Sequence, residues 1–141
     1  MQEPYHIELD NAIPQGSETI LFNGINEESF QKKGLNPIRS FSLFIKDNDQ
    51  NILGGATGVT YYGCLYIDML WIDLKLRHQG YGTKLMHAAE SIGKERSCSF
   101  ATVNTMDFEG LPFYKKLGYS IEFIRDGYEK SSKMFLLRKK L

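Results

Sequence analysis

Apolar and polar positions alternate in some stretches of the chain and recur at helical spacing in others, and that rhythm lays out its elements. "YHIEL", residues 5–9, alternates and predicts a short first strand. "SETILFNGINEESFQKKG" predicts helix, with Ser17 as a candidate N-cap and Gly34 as its stop. Asn23-Gly24 marks a place where that helix could divide into two short ones. "RSFSLFIKD" alternates and predicts a strand. "DNDQN" is built from turn formers, and "ILGGATGVTYYG" resumes as a strand, so the three predict a hairpin. Gly54, Gly55 and Gly58 inside that second strand predict a bulge or a close neighbour. "CLYIDMLWID" is the most strand-like run in the chain. A glycine loop follows, and then "TKLMHAAESIGKER", whose Leu85, Ala89 and Ile92 share one helical face and predict packing on a sheet. "SFATVNTM" predicts a strand. "EGLPFYKKLG" predicts a short helix with Pro112 in its first turn and Gly118 at its end. "YSIEFI" and "SKMFLLRKKL" predict two last strands, separated by the polar "RDGYEKSS". The order is strand, helices, three strands, helix, strand, helix, two strands. It predicts a mixed α/β (α+β) layer: a largely antiparallel central sheet of about six to seven strands, flanked by about four helices, with one strand–helix–strand crossover.

Bulk properties change this picture little. The 141 residues predict one domain, 1–141, with an ordinary apolar and aromatic content and no repeat or linker. Formal net charge is zero, which gives no electrostatic case for a nucleic-acid partner, and the basic "RKKL" reads as a solvated end. Cys64 and Cys98 match no metal spacing and predict two reduced core thiols in a cytoplasmic protein. "MQEPYHIELDNAIP" does not read as a signal peptide, and no run reaches the ~20 apolar residues of a membrane span. No membrane partner is expected. His6 and His87 read as surface.

Candidate chemistry concentrates in "LWIDLKLRHQGYGTKLMHAAE", residues 70–90. An apolar run ends in an arginine and two closely spaced glycines, and only then does the helix start. Gly80 and Gly82 cost backbone entropy at that place. A helix N-terminus offers free N–H groups and a partial positive charge, so "RHQGYGT" reads as a phosphate cradle; the plain alternative is a helix entered through a flexible turn. Gly80-Tyr-Gly-Thr-Lys does not fit the nucleoside-triphosphate loop. A dinucleotide fingerprint would need a third glycine where the chain has Leu85.

Arg77-His-Gln-Gly80-Tyr-Gly82 matches the pattern [RQ]-x-x-G-x-[GA], with "LWIDLKLR" before it and "GLPFYKKLGY" after it. On these motifs, and on the element order, the chain resembles the GCN5-related N-acetyltransferases, acetyl-coenzyme A-dependent enzymes. "MDFEGLPFYKKLGY" is similar to a subgroup of small, stand-alone bacterial members. The resemblance implies acetyl-CoA as co-substrate and no metal. It implies that Arg77 and the segment His78, Gln79, Gly80, Tyr81, Gly82 and Thr83 receive the pyrophosphate. It implies that the backbone of Leu70, Trp71 and Ile72, where the fourth predicted strand splays from the fifth, pairs with the pantetheine arm and polarises the thioester carbonyl; the plain alternative for "LWI" is core strand. Tyr114 matches the tyrosine that protonates the leaving thiolate, a role open to a phenol of reference pKa about 10. Phe113 suits packing on the sheet better. Asp68 is the favoured general base, beside Asp73, Glu109, Glu122 or a water; Thr102 stands where some relatives carry glutamate. Asp107 stands where relatives that acetylate protein N-termini often carry asparagine, with Asn104 three residues earlier, which weakens the case for a protein N-terminus as acceptor. The implied function is transfer of an acetyl group to a primary amine on a small molecule, by direct attack in a ternary complex. The alternative is a coenzyme A-binding sensor or scaffold with little turnover. Family members often form homodimers. Acceptor choice is expected from "LFNGINEESFQKKGLN" and "RDGYEKSS".

Overall fold

The alternating segments find one another through short polar turns. In the computed structural model, which describes residues 4–141, the chain divides into two compact units, Met1–Pro37 and Ile38–Leu141.

The first unit carries α1 (Ser17–Lys33), which runs unbroken through Asn23-Gly24. One interior glycine costs a helix only about 1 kcal/mol, too little to break so long a run of bonds. Ser17 is not the N-cap: Gly16 holds that place at φ 85°, and the Ser17 hydroxyl donates to the Pro14 carbonyl at 2.7 Å. Gly34 ends the helix in the left-handed region, its N–H donating to Phe30 O at 2.7 Å. The strand expected at residues 5–9 does not form. Alternation alone does not make a strand when the described residues of the unit supply no second strand to hydrogen-bond its backbone.

The second unit is a six-stranded sheet: β1 (Arg39–Lys46), β2 (Ile52–Tyr61), β3 (Cys64–Ile72), β4 (Phe100–Met106), β5 (Ser120–Arg125) and β6 (Met134–Lys140), in the order β1-β2-β3-β4-β6-β5. Every neighbouring pair is antiparallel except β3 with β4, which are joined by the crossover helix α2 (Tyr81–Glu95). α3 (Leu111–Lys116) follows β4. Two one-turn 3-10 helices, Leu74–Leu76 and Glu129–Ser131, complete the elements among the described residues, where three α-helices stand against about four expected.

Local chemistry sets the two hairpins. The Asp47 carboxylate accepts from the N–H groups of Asp49 and Asn51, both at 2.9 Å, and these bonds to Asn51 hold its carboxyl below the usual range. Tyr62 and Gly63 turn β2 into β3 with positive φ at both positions (51° and 86°), the geometry that matches the twist of a two-residue hairpin loop.

α2 buries Leu85, Met86, Ala89, Glu90 and Gly93. Its Met86 and Ala89 join Leu65, Ile67, Ala101, Val103 and Leu137 of the sheet in one core. Glu90 is a carboxylate in that interface. It accepts the Tyr119 hydroxyl at 2.7 Å and the Lys139 ammonium at 3.0 and 3.1 Å, which offsets its desolvation. Burial and Glu90 together push the Tyr119 hydroxyl upward. At the far end of α2, Arg96 donates to the carbonyls of Arg39 (3.2 Å) and Ser40 (3.3 Å). Cys64 and Cys98 are both buried and free, as core thiols would be. No helix among the described residues is long and apolar enough to cross a membrane.

Candidate active site

β3 is a strand of two halves. Residues 64–67 pair in parallel with 100–103 of β4. Beyond Ile67 that ladder stops, while β4 continues through residues 104–106 against β6 alone. The parting begins at a bulge. On the other edge of β3, Gly58 pairs with Ile67 and Thr57 with Met69, which leaves Asp68 as an extra residue. A bulge bends its strand and increases the local twist, so β3 leaves β4 there. Gly58 is what β2 needs at this point: a Cβ on it would lie 2.1 Å from Tyr66 O and 2.9 Å from the Phe41 ring. The glycines of β2 thus mark both a bulge and a close neighbour.

The splayed half divides its side chains between two faces. Leu70 packs against the core and Ile72 reaches toward Gly82, while Met69 (61% exposed) and Trp71 (55%) stay open. "LWI" is therefore not simply core strand.

After Ile72 the chain tightens. The Asp73 carboxylate accepts from the N–H of Lys75 at 3.0 Å and caps the first 3-10 turn. Arg77 folds back, its Nε donating to the Ile72 carbonyl at 2.9 Å. His78 (φ 62°) and Gly80 (φ 85°) swing the backbone into α2. No side chain caps that helix start, so the first-turn N–H groups of Tyr81, Gly82 and Thr83 donate to no capping side chain. The two glycines do different work. Gly80 supplies the left-handed backbone and has open space around it. Gly82 lets Phe113 and Ile72 approach, since a Cβ there would lie 3.1 Å from the Phe113 ring and 3.3 Å from Ile72 Cδ1.

α3 brings Tyr114 to the same place. Its ring stands edge-on to Phe113 (5.1 Å) and to Tyr119 (6.0 Å). Burial, and then the charge of Glu109, pushes its hydroxyl up to about 12. Such a phenol is fully protonated at neutral pH and can serve only as a donor or acceptor of a hydrogen bond until its proton is used. The approach to α3 is fixed by two bonds: Thr105 Oγ1 accepts from Gly110 N, and Glu109 Oε1 accepts from Met106 N, both at 3.0 Å.

Between these parts lies a cleft of about 1010 Å³. It brings together Asp68, Leu70, Trp71, Ile72, Arg77, His78, Gly82 and Tyr114. Gln79, Gly80, Tyr81 and Thr83 do not line it. Gln79 Nε2 donates to the Lys75 carbonyl at 3.0 Å, and the Lys84 ammonium stands 5.1 Å from the centre of the Tyr81 ring. Among the carboxylates considered as a base, Asp68 and Glu109 line the cleft. Asp73 is the cap just described, and Glu122 lies on β5, 3.5 Å from Arg138. Sequence reasoning left out Tyr66, Met69, Thr105, Phe108 and Met134, all of which line the cleft, and Phe113 serves it as well as packing. The inward–outward alternation of β3 and β4 was the signal for Tyr66 and Thr105; Phe108 lies in a loop with none.

Residues 11–119 match the model of the acetyltransferase (GNAT) family. The chain belongs to that family. The resemblance carried by the glycine loop and by "GLPFYKKLGY" is thereby borne out. Acetyltransferase Atu2258 of Agrobacterium fabrum is 32% identical over 82 residues, 58% of this chain and 60% of its own length. The match thus spans less than two thirds of that protein. The blasticidin-S acetyltransferase of Streptomyces morookaense is 28% identical over 106 residues, 74% of this chain and 78% of its own. Among solved structures, an acetyltransferase from Bacillus cereus is 30% identical with a TM-score of 0.75, over 97% of this chain and 98% of that one. The GNAT fold expected from the sequence is the fold observed.

Proposed function

We propose that residues 1–141 work as one GNAT domain that moves an acetyl group from acetyl-CoA to a primary amine on a small molecule, by direct attack in a ternary complex. One observation carries the reading: the parted half of β3, Gly82 in the uncapped first turn of α2, and Tyr114 line one cleft. The relative that is a blasticidin-S acetyltransferase favours a small-molecule acceptor.

The residues present fit acetyl-CoA. The stretch Leu70, Trp71 and Ile72 pairs with β2 on one edge and has no strand partner on the other, where Arg77 holds only the Ile72 carbonyl, so that edge can take an extended amide-bearing arm as a sheet takes a further strand. The amides that open α2, with Arg77 and His78 beside them, can hold a pyrophosphate at the positive end of the helix. When bound, acetyl-CoA supplies an acetyl group activated as a thioester. The chain's own residues do the rest. A β3 N–H donates to the carbonyl oxygen as charge gathers there. Asp68 takes a proton from the ammonium nitrogen of the acceptor, which frees its lone pair. The Tyr114 hydroxyl gives its proton to the departing sulfur. Holding the two reactants together contributes on the order of 7 kcal/mol or more in well-oriented cases.

The test is thermal unfolding with acetyl-CoA, with NAD and ATP as controls, followed by thiol release with a panel of amines. A ligand at 100 times its Kd adds about 2.7 kcal/mol. A shift with acetyl-CoA alone, together with amine-dependent thiol release, is the expected outcome. A shift without release for any amine would leave a coenzyme A-binding sensor. No shift at saturating acetyl-CoA would end the proposal.

A further inference from the structure

The cleft has two chemically distinct ends. Arg77 and His78 lie past the C-terminal end of β3, and Arg77 is the cationic side chain that lines the cleft among the described residues. Asp68 lies at the bulge, roughly 13 Å back along the strand from Ile72 at ~3.3 Å per residue. Asp68 is exposed. Unlike the carboxylates of Asp73 and Glu109, its side chain makes no hydrogen bond among the described residues. The lining of the same cleft is also apolar and open: Met69, next to Asp68 in the chain, is 61% exposed, Trp71 55% and Phe108 72%. Three large apolar side chains left to solvent in one cleft mark a surface meant to be covered. Their companions on β3, Leu70 and Ile72, face the other way.

We infer that the acceptor is an ammonium carried on a flat apolar body: Asp68 holds the ammonium, and Met69, Trp71 and Phe108 receive the body. This rests on the acetyl-transfer reading of the cleft and names the substrate class for it. A free carboxylate beside the acceptor amine would meet the Asp68 carboxylate, while Arg77 lines the cleft past the far end of β3, so amino acids are poor acceptors. A short alkylamine leaves the apolar wall wet and loses the larger part of its binding.

The chain offers its own probe, because Trp71 is its single tryptophan. Emission from Trp71 is titrated with 2-phenylethylamine, ethylamine and phenylalanine, without acetyl-CoA. 2-Phenylethylamine is expected to bind at least about tenfold more tightly than either of the others. Asp68→Asn is expected to weaken it at least about fivefold, while the shift in melting temperature given by acetyl-CoA is kept. Equal affinities, tightest binding of phenylalanine, no spectral response to 2-phenylethylamine, or an unchanged Asp68→Asn variant would each overturn the inference. If acetyl-CoA shifts the melting temperature and 2-phenylethylamine does not bind, the acceptor class alone is wrong. If acetyl-CoA gives no shift, the transfer reading falls and takes the inference with it.

Discussion

The two halves of β3 are made of similar residues and have opposite fates. Residues 64–67 are paired on both edges, and Leu65 and Ile67 are fully buried. Residues 69–72 are paired on one edge only and Asp68 on neither, and Met69 and Trp71 stand in solvent. The first half is paired on both edges and buries Cys64, Leu65 and Ile67, which is how a strand stabilises a fold. The second leaves hydrogen-bonding groups and apolar surface uncovered, which costs stability and offers a ligand both. What separates the halves is one extra residue, not a change of composition.

The comparison is broken most sharply in the paired half. Leu65→Ala empties a fully buried site between β3 and α2 and is expected to cost about 2–5 kcal/mol in urea unfolding. Tyr114→Phe comes next, on the functional side. It is expected to lower turnover about a hundredfold or more, equivalent to about 2.7 kcal/mol, with the response of the melting temperature to acetyl-CoA retained. Wild-type turnover in that variant would remove Tyr114 from the mechanism. The same residue leaves a pH signature. Its folded value of about 12 lies above the ordinary 10 of an unfolded chain. The folded state therefore binds the proton more tightly. This contribution is fully present below pH 10 and is lost as pH rises through about 12, so Tyr114→Phe should soften the alkaline fall in stability.

Smaller effects sharpen the contrast. Gly80→Ala places a Cβ at φ 85°, where nothing obstructs it, and the strain should cost about 1 kcal/mol and weaken acetyl-CoA binding. Trp71→Ala should change unfolding by no more than about 0.5 kcal/mol, because the side chain is largely in solvent already. A loss as large as that of Leu65→Ala would mean that the splayed half is core after all.

Most of this architecture was legible along the chain. The hairpins, the crossover and α3 announce themselves through alternation, turn formers and Pro112 with Gly118, all local signals. Residues 5–9 misled because alternation says that a segment could be a strand and not that a partner is present. Asn23-Gly24 misled because an interior glycine weakens a helix by less than its other bonds hold it. At the site, the glycine loop and Tyr114 were visible as motifs. Gly82 was read as bare backbone for a phosphate, yet its nearest neighbours are Phe113 and Ile72, a tertiary contact that no window of sequence contains. The same holds for Glu90, whose partners Tyr119 and Lys139 lie far along the chain. Phe108 sits on a loop with no period to betray it.

The bulge carries a last consequence, which concerns the length of the gene. Because Gly58 already pairs with Ile67 and Thr57 with Met69, excising Asp68 would not shift a single later partner or turn any side chain to the wrong face. The strand would simply become regular and lose the bend that parts it from β4. A protein one codon shorter could therefore keep the whole sheet in register and have no cleft. In this chain the parting of β3 from β4 turns on a single extra aspartate.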